Sequence, residues 1–148
     1  MVSNIIGQGK GDEVLPLIRK VVVVSFSISL LIVATLNIWP EWFLSFYSQG
    51  PEFIADGIPV VRIVSVAILM MSVGTVWLNA VTGTGNTLVN LRIEFVTLII
   101  YSSYTYLVLE YWNMAITWGW GSEWVYWISM FSMAFAYMRS GRWKGKKI

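Results

Sequence analysis

The sequence predicts an all-α integral membrane protein with four transmembrane helices. Three observations predict it. Hydrophobic residues make up 57% of the 148-residue chain, and charged residues only 12%. Mean hydropathy is +0.67, and the charges are separated by long uncharged runs. Soluble domains carry about 25% charged residues, and 18 charges do not keep a chain this apolar dispersed in water. An ordinary soluble domain, a disordered chain and a nucleic-acid binder are all excluded. The bilayer is the expected first partner.

Two absences narrow the chemistry. The chain has no Cys and no His. Disulfides, thiolate zinc sites, serine–histidine catalysis and His-containing metal motifs are therefore excluded. No nucleophile–base pair remains to suggest an enzyme. Acidic side chains remain as proton carriers or hard-cation ligands.

The elements follow in chain order. Val2-Ser3-Asn4-Ile5-Ile6-Gly7-Gln8-Gly9 reads as a helix closed by a glycine cap. Residues 1–11 are thus expected to be the tail of an upstream helix and the start of a cytoplasmic loop, not a signal peptide. Val21 to Pro40 is 20 residues without a charge, about 30 Å of helix, which matches a hydrocarbon core. It defines span one, about 19–39. A second uncharged run, Ile63 to Leu91, ends in the turn-rich Thr82-Gly83-Thr84-Gly85-Asn86-Thr87. Span two is therefore placed at about 59–81, with Pro59 in its first turn. Phe95 to Leu109 and Trp124 to Met138 hold 15 uncharged residues each. Extended to about 88–109 and 118–138, they give spans three and four, with charges near the interfaces where long side chains snorkel. A basic tail, 139–148, closes the chain.

Charge placement predicts direction. Lys10, Arg19, Lys20, Arg92, Arg139, Arg142, Lys144, Lys146 and Lys147 all fall at one end of the spans. Only Arg62 lies at the other, beside Asp56 as an outer-interface charge. The positive-inside rule makes the nine-residue side cytoplasmic, with both termini inside. Aromatic residues cluster at the opposite side: Trp39, Trp42, Phe43 and Tyr47, then Tyr111, Trp112, Trp118, Trp120, Trp124, Tyr126 and Trp127. They read as an interfacial belt.

Polar residues recur on single helix faces inside the spans. Span one has Ser25 and Ser29. Span two carries Ser65, Ser72, Thr75 and Asn79; span three Glu94, Thr97, Tyr101, Tyr104 and Thr105; span four Ser122, Tyr126, Ser129 and Ser132. Such stripes either pack helices together through hydroxyl hydrogen bonds or line a water-filled cavity. Glu94 is the candidate coupling carboxylate, because an acid inside a span marks an ion path by default; its closeness to Arg92 also suits an interfacial charge. The glycines around Lys10 and in Gly83-Thr84-Gly85-Asn86-Thr87 lack the Gly-Lys-Ser/Thr ending of a phosphate loop and read as caps and turns.

Gly7-Gln8-Gly9-Lys10, the segment Pro51-Glu52-Phe53, the run Asn79-Ala80-Val81-Thr82-Gly83-Thr84-Gly85-Asn86-Thr87 and the ending Arg139-Ser140-Gly141-Arg142-Trp143-Lys144 carry a resemblance. In that order they resemble the C-terminal part of a multidrug and toxic compound extrusion (MATE) transporter. Glu123-Trp124-Val125-Tyr126-Trp127 resembles bacterial members. The resemblance spans nearly all of this chain and about a third of a family protein. It implies twelve helices in two lobes, of which these would be the last four. It implies a bacterial inner-membrane, multi-pass antiporter that exports xenobiotic organic cations against sodium or proton entry. The coupling ion apart, no cofactor is implied, and the partner would be a missing N-terminal lobe. The tenth-helix Asp of some members has no counterpart here, since no acid lies between Arg62 and Thr82. Alone, the 148 residues are expected not to transport. A stand-alone four-helix membrane scaffold or assembly partner is the alternative.

Overall fold

A computed structural model describes residues 1–47 and 49–144. Lys146, Lys147 and the rest of 145–148 lie outside the described residues. Those described form helices joined by short turns: α1 (Val2–Gly7), α2 (Val14–Ile38), α3 (Pro40–Ser45), α4 (Pro51–Gly83), α5 (Thr87–Tyr106), α6 (Ile116–Trp120) and α7 (Ser122–Arg139). A 3-10 turn, Gly11–Glu13, leads into α2, and a π turn, Leu107–Tyr111, extends α5.

Local sequence accounts for the joints. α1 ends as expected: Gly9 adopts φ 76°, and the Gly9 and Lys10 amides donate to the Ile6 and Ile5 carbonyls at 2.9 and 3.0 Å. These are the paired bonds of a glycine-closed helix end. The Gly83–Thr87 stretch is likewise a turn. Thr84 is buried and its hydroxyl donates to the Val81 carbonyl at 2.7 Å. Gly85 then turns at φ 73°, and Asn86 opens α5 while its side chain donates to the Tyr137 hydroxyl at 3.0 Å.

Helix α4 departs from expectation. It begins at Pro51 and runs 33 residues, so Pro59 lies inside it and Pro51-Glu52-Phe53 is its first turn. Gly50 turns the chain at φ 89° and Pro51 takes the first helical position, where its missing N–H has no partner to lose. Pro59 costs only the bond to the Ala55 carbonyl, near an exposed end. The expected span 59–81 lies wholly within α4.

Three helical stretches are long and apolar enough to cross a membrane: Gly11–Ile38, Pro51–Gly83 and Thr87–Tyr111. The fourth expected span is represented by α7, 18 residues long, which is not among them. Its first turns are rich in Ser, Glu, Trp and Tyr, which lower its hydropathy. The expected start at Trp118 falls in α6, separated from α7 by Gly121 at helical φ −61°, ψ −17°. A Cβ on Gly121 would meet the Trp118 carbonyl oxygen at 3.0 Å and the Tyr104 hydroxyl at 3.1 Å.

Helix α4 is the centre of the assembly. It packs against α2 on one side and α7 on another, and α5 packs on α7. Trp77 of α4 meets Phe135 and Phe131 of α7 edge-on, at 4.9 and 6.2 Å between centroids. Gly74 lets Trp127 close in, since a Cβ there would sit 3.1 Å from its ring. Small residues at such crossings let backbones approach where lipid offers no hydrophobic drive. The core gathers at the end of the bundle that holds the start of α2 and the end of α7, around Val14, Ile18, Trp77, Val81, Met130, Ala134, Met138 and Trp143.

Candidate functional site

The polar stripe of α4 divides between two surroundings. Ser65 and Ser72 are buried. Asn37 of α2 donates to the Ser65 hydroxyl at 2.7 Å, and Ser25 of α2 donates to the Ser72 carbonyl at 3.2 Å. The Ser72 hydroxyl itself bonds the Leu69 carbonyl at 2.7 Å. These groups hold α2 to α4. Thr75 and Asn79 sit on an exposed surface with Met71 and Thr82.

That surface has a long reach. Gly57, Val61, Val64, Ile68, Met71, Thr75, Asn79 and Thr82 succeed one another at spacings of three and four, so they share one side of α4. The half nearer Pro51 is apolar and floors a cavity of about 600 Å³, roofed by Phe43, Leu44, Tyr47, Ile116 and Trp120. The half nearer Gly83 carries the polar Thr75, Asn79 and Thr82. At its end, Thr82 Oγ1 lies 3.2 Å from Asn90 Oδ1, and Asn90 Nδ2 donates to Glu94 Oε1 at 2.9 Å. Glu94 is thus part of a side-chain chain that links the end of α4 to the start of α5.

The stripe of α5 turns mostly toward α7. Thr97 is fully buried and its hydroxyl has no hydrogen-bond partner among the described residues. Tyr101 meets Tyr126 edge-on at 5.8 Å. The Tyr104 hydroxyl donates to the Trp118 carbonyl at 3.2 Å, and Thr105 bonds back to the Tyr101 carbonyl at 3.0 Å. In α7, Ser122 is buried, whereas Ser132 is exposed and bonds back to the Ile128 carbonyl at 2.7 Å. Tyr101 and Tyr104 therefore join α5 to the α6–α7 segment. Asp56 and Arg62 are both exposed on α4; Asp56 touches the cavity floored by α4 and Arg62 is not among its lining residues.

Most belt aromatics are exposed, including Trp39, Trp42, Tyr47, Tyr111, Trp112, Trp118 and Trp120. Trp124, Tyr126 and Trp127 instead turn partly inward: Trp124 Nε1 donates to the Ile63 carbonyl at 2.8 Å. Sequence reasoning missed Asn37, Asn86, Asn90 and Trp143. Asn90 carried a usable signal, four residues before Glu94 and so on the same face. Trp143 carried none, because it stands among the basic residues of the tail. Among the described residues, no group of three or more acidic side chains is placed to hold a metal ion.

Long apolar helices around a central helix with one open, partly polar side define a multi-pass helical membrane protein. A family model described as MatE matches residues 1–107, α1 to the start of the π turn. The chain belongs to this family, the multidrug and toxic compound efflux transporters, which are not enzymes. No curated protein and no solved structure matches it.

Proposed function

We propose that this chain is a part of the C-terminal lobe of a two-lobed bacterial antiporter, and that the open side of α4 lines its export path. The parent would have twelve helices and would export organic cations across the inner membrane against sodium or protons. One observation carries this reading: Thr75, Asn79 and Thr82 are exposed along the Gly83 half of a helix long enough to span the membrane. An amide facing hydrocarbon without a partner costs several kcal/mol. Water in a path, or the other lobe, relieves that cost; lipid does not. Helix α7 would be the fourth span, held in place by packing on α4, and both termini would face the cytoplasm. Glu94, which accepts from Asn90, would carry the proton or bind the sodium. Alternating access would rock this lobe against the other.

The absence of native cysteine makes the test direct. Asn79→Cys and Thr75→Cys are each compared with Leu31→Cys on the exposed apolar surface of α2, in native membranes with a small water-soluble maleimide. Labelling at Asn79→Cys is expected to be at least about tenfold faster, since only a hydrated thiol ionises and reacts. Equal, slow labelling at all three positions would overturn the path reading. Gradient-driven movement of a fluorescent cationic dye in liposomes holding the 148-residue chain alone would overturn the proposal that a second lobe is needed.

A further inference from the structure

We infer that the end of the bundle where the start of α2 meets the end of α7 binds the headgroup of an anionic phospholipid, held by Lys10, Arg19, Lys20, Arg139 and Arg142. The inference goes beyond the exporter reading and does not depend on it. The first observation is how these cations come together. They lie near opposite ends of the sequence, and Trp143 joins them. Its buried indole packs on Gly11 and shares a cluster with Val14, Ile18 and Met138. Lys10 is next to Gly11, Arg19 to Ile18, Arg139 to Met138 and Arg142 to Trp143. Each backbone is held by its packed neighbour, while each of these side chains is exposed. Lys144 belongs to the same end, but its ammonium is paired with Asp12 at 2.6 Å.

The second observation is that the cluster is short of anions. Among the described residues none of these five cations is in an ion pair. Beyond Asp12, the only acid in the segments Lys10–Lys20 and Arg139–Lys144 is Glu13. Cations gathered in this way repel one another, and a bound anion offsets that repulsion. The third observation is what adjoins them. Lys20 stands directly before the uncharged run Val21 to Pro40, and Arg139 directly after the uncharged run Trp124 to Met138. Gly11–Ile38 is long and apolar enough to cross a membrane, so Arg19 and Lys20 lie near headgroup depth. Beyond Lys20, Val24, Ile28 and Leu31 follow at spacings of four and three, all exposed on one face of α2. A lipid whose phosphate meets the cations lays its acyl chains along that face, whereas a soluble anion leaves it uncovered. Lys and Arg clustered beside a span attract acidic headgroups. Guanidinium groups give phosphate paired N–H donors, and Arg139 is steadied over the Phe135 ring at 5.8 Å.

The test titrates the purified 148-residue protein in dodecyl maltoside with phosphatidylglycerol and phosphatidylcholine carrying the same pyrene-labelled acyl chain. Energy transfer from the nine tryptophans reads the bound lipid. Phosphatidylglycerol is expected to bind about tenfold or more tighter, and to lose most of that preference as salt is raised. The double variant Arg139→Gln/Arg142→Gln is expected to cut the preference to about twofold or less, while Arg62→Gln, towards the other end of α4, leaves it unchanged. Trp143→Ala and Gly11→Leu keep every charge but undock the tail, and each is expected to lower the preference as the double variant does. Gly11→Leu adds carbons beyond a Cβ that already lies 3.7 Å from the indole. Circular dichroism shows which variants are folded. Inorganic phosphate is expected to displace phosphatidylglycerol no better than chloride at equal ionic strength. Equal affinity for the two lipids, a preference that survives Arg139→Gln/Arg142→Gln, or displacement by phosphate beyond that by chloride would overturn the inference. A preference that survives undocking in a folded variant would overturn the site that Trp143 assembles.

Discussion

Trp143→Ala is expected to destabilise the protein by about 3–5 kcal/mol, the range for emptying a buried aromatic site. Trp143 is 1% exposed and shares a cluster with Val14, Ile18 and Met138. Its route there is local: Gly141, at φ 68°, reverses the chain beyond α7. The indole then lies against Gly11, and its Nε1 donates to the Met138 carbonyl at 2.7 Å. Met138 is in the last turn of α7, where carbonyls have no helical donor, so the indole fills a hole and caps a helix at once. Beside it, Lys144 Nζ meets Asp12 Oδ1 at 2.6 Å, with Asp12 95% exposed. An exposed pair of this kind adds little. Urea unfolding in micelles, followed by circular dichroism, should show a large loss for Trp143→Ala, a loss of about 1 kcal/mol for the lost hydrogen bond in Trp143→Phe, and almost none for Lys144→Ala. A Trp143→Ala midpoint equal to that of Lys144→Ala would show that the tail is not docked.

The second large effect is expected at Trp77. Trp77→Ala removes a 7%-exposed side chain and two edge-on contacts with Phe131 and Phe135. The cost is about 3–5 kcal/mol for the cavity, of which each aromatic pair supplies about 0.5–1.5. Its consequence is selective. Helix α7 is too polar at its start to rely on lipid alone, so its place depends on α4. In Trp77→Ala, limited proteolysis is expected to open the α6–α7 segment before α2 or α4. Trp77→Phe should restore most of the protection. Uniform cleavage of all helices in Trp77→Ala would show that α7 does not depend on this contact.

How far the sequence could be read differs from residue to residue. The glycine-closed end of α1 was legible because Gly9 acts through its own φ and bonds within five residues. Pro59 misled because a proline at a helix start and a proline inside a long helix share the same neighbours; Gly50-Pro51 upstream was the better start signal. Ser72 and Thr75 show the limit most plainly. They lie three residues apart and belong to one stripe by spacing, yet Ser72 is buried against α2 and Thr75 is open. Nothing in either residue type separates them. The same holds for Tyr101, whose neighbour Tyr126 is 25 positions away in sequence.

The sequence by itself determined that the chain is helical and apolar, and where the tight turns at Gly9 and Gly83–Thr87 fall. Those properties depend on uncharged length and on the φ preferences of Gly and Pro, which act over a few residues. Only the tertiary structure decided that α4 is central, which polar groups bind helices and which stay open, that Trp143 is core, and that Phe43, Tyr47, Phe53 and Trp120 line one cavity. The physical reason is the solvent. In water, burying an apolar face writes a helical period into the sequence. In lipid the outward side of a helix is as apolar as its packed side, and the neighbour is chosen by close contacts such as Gly74 on Trp127, which no single residue announces.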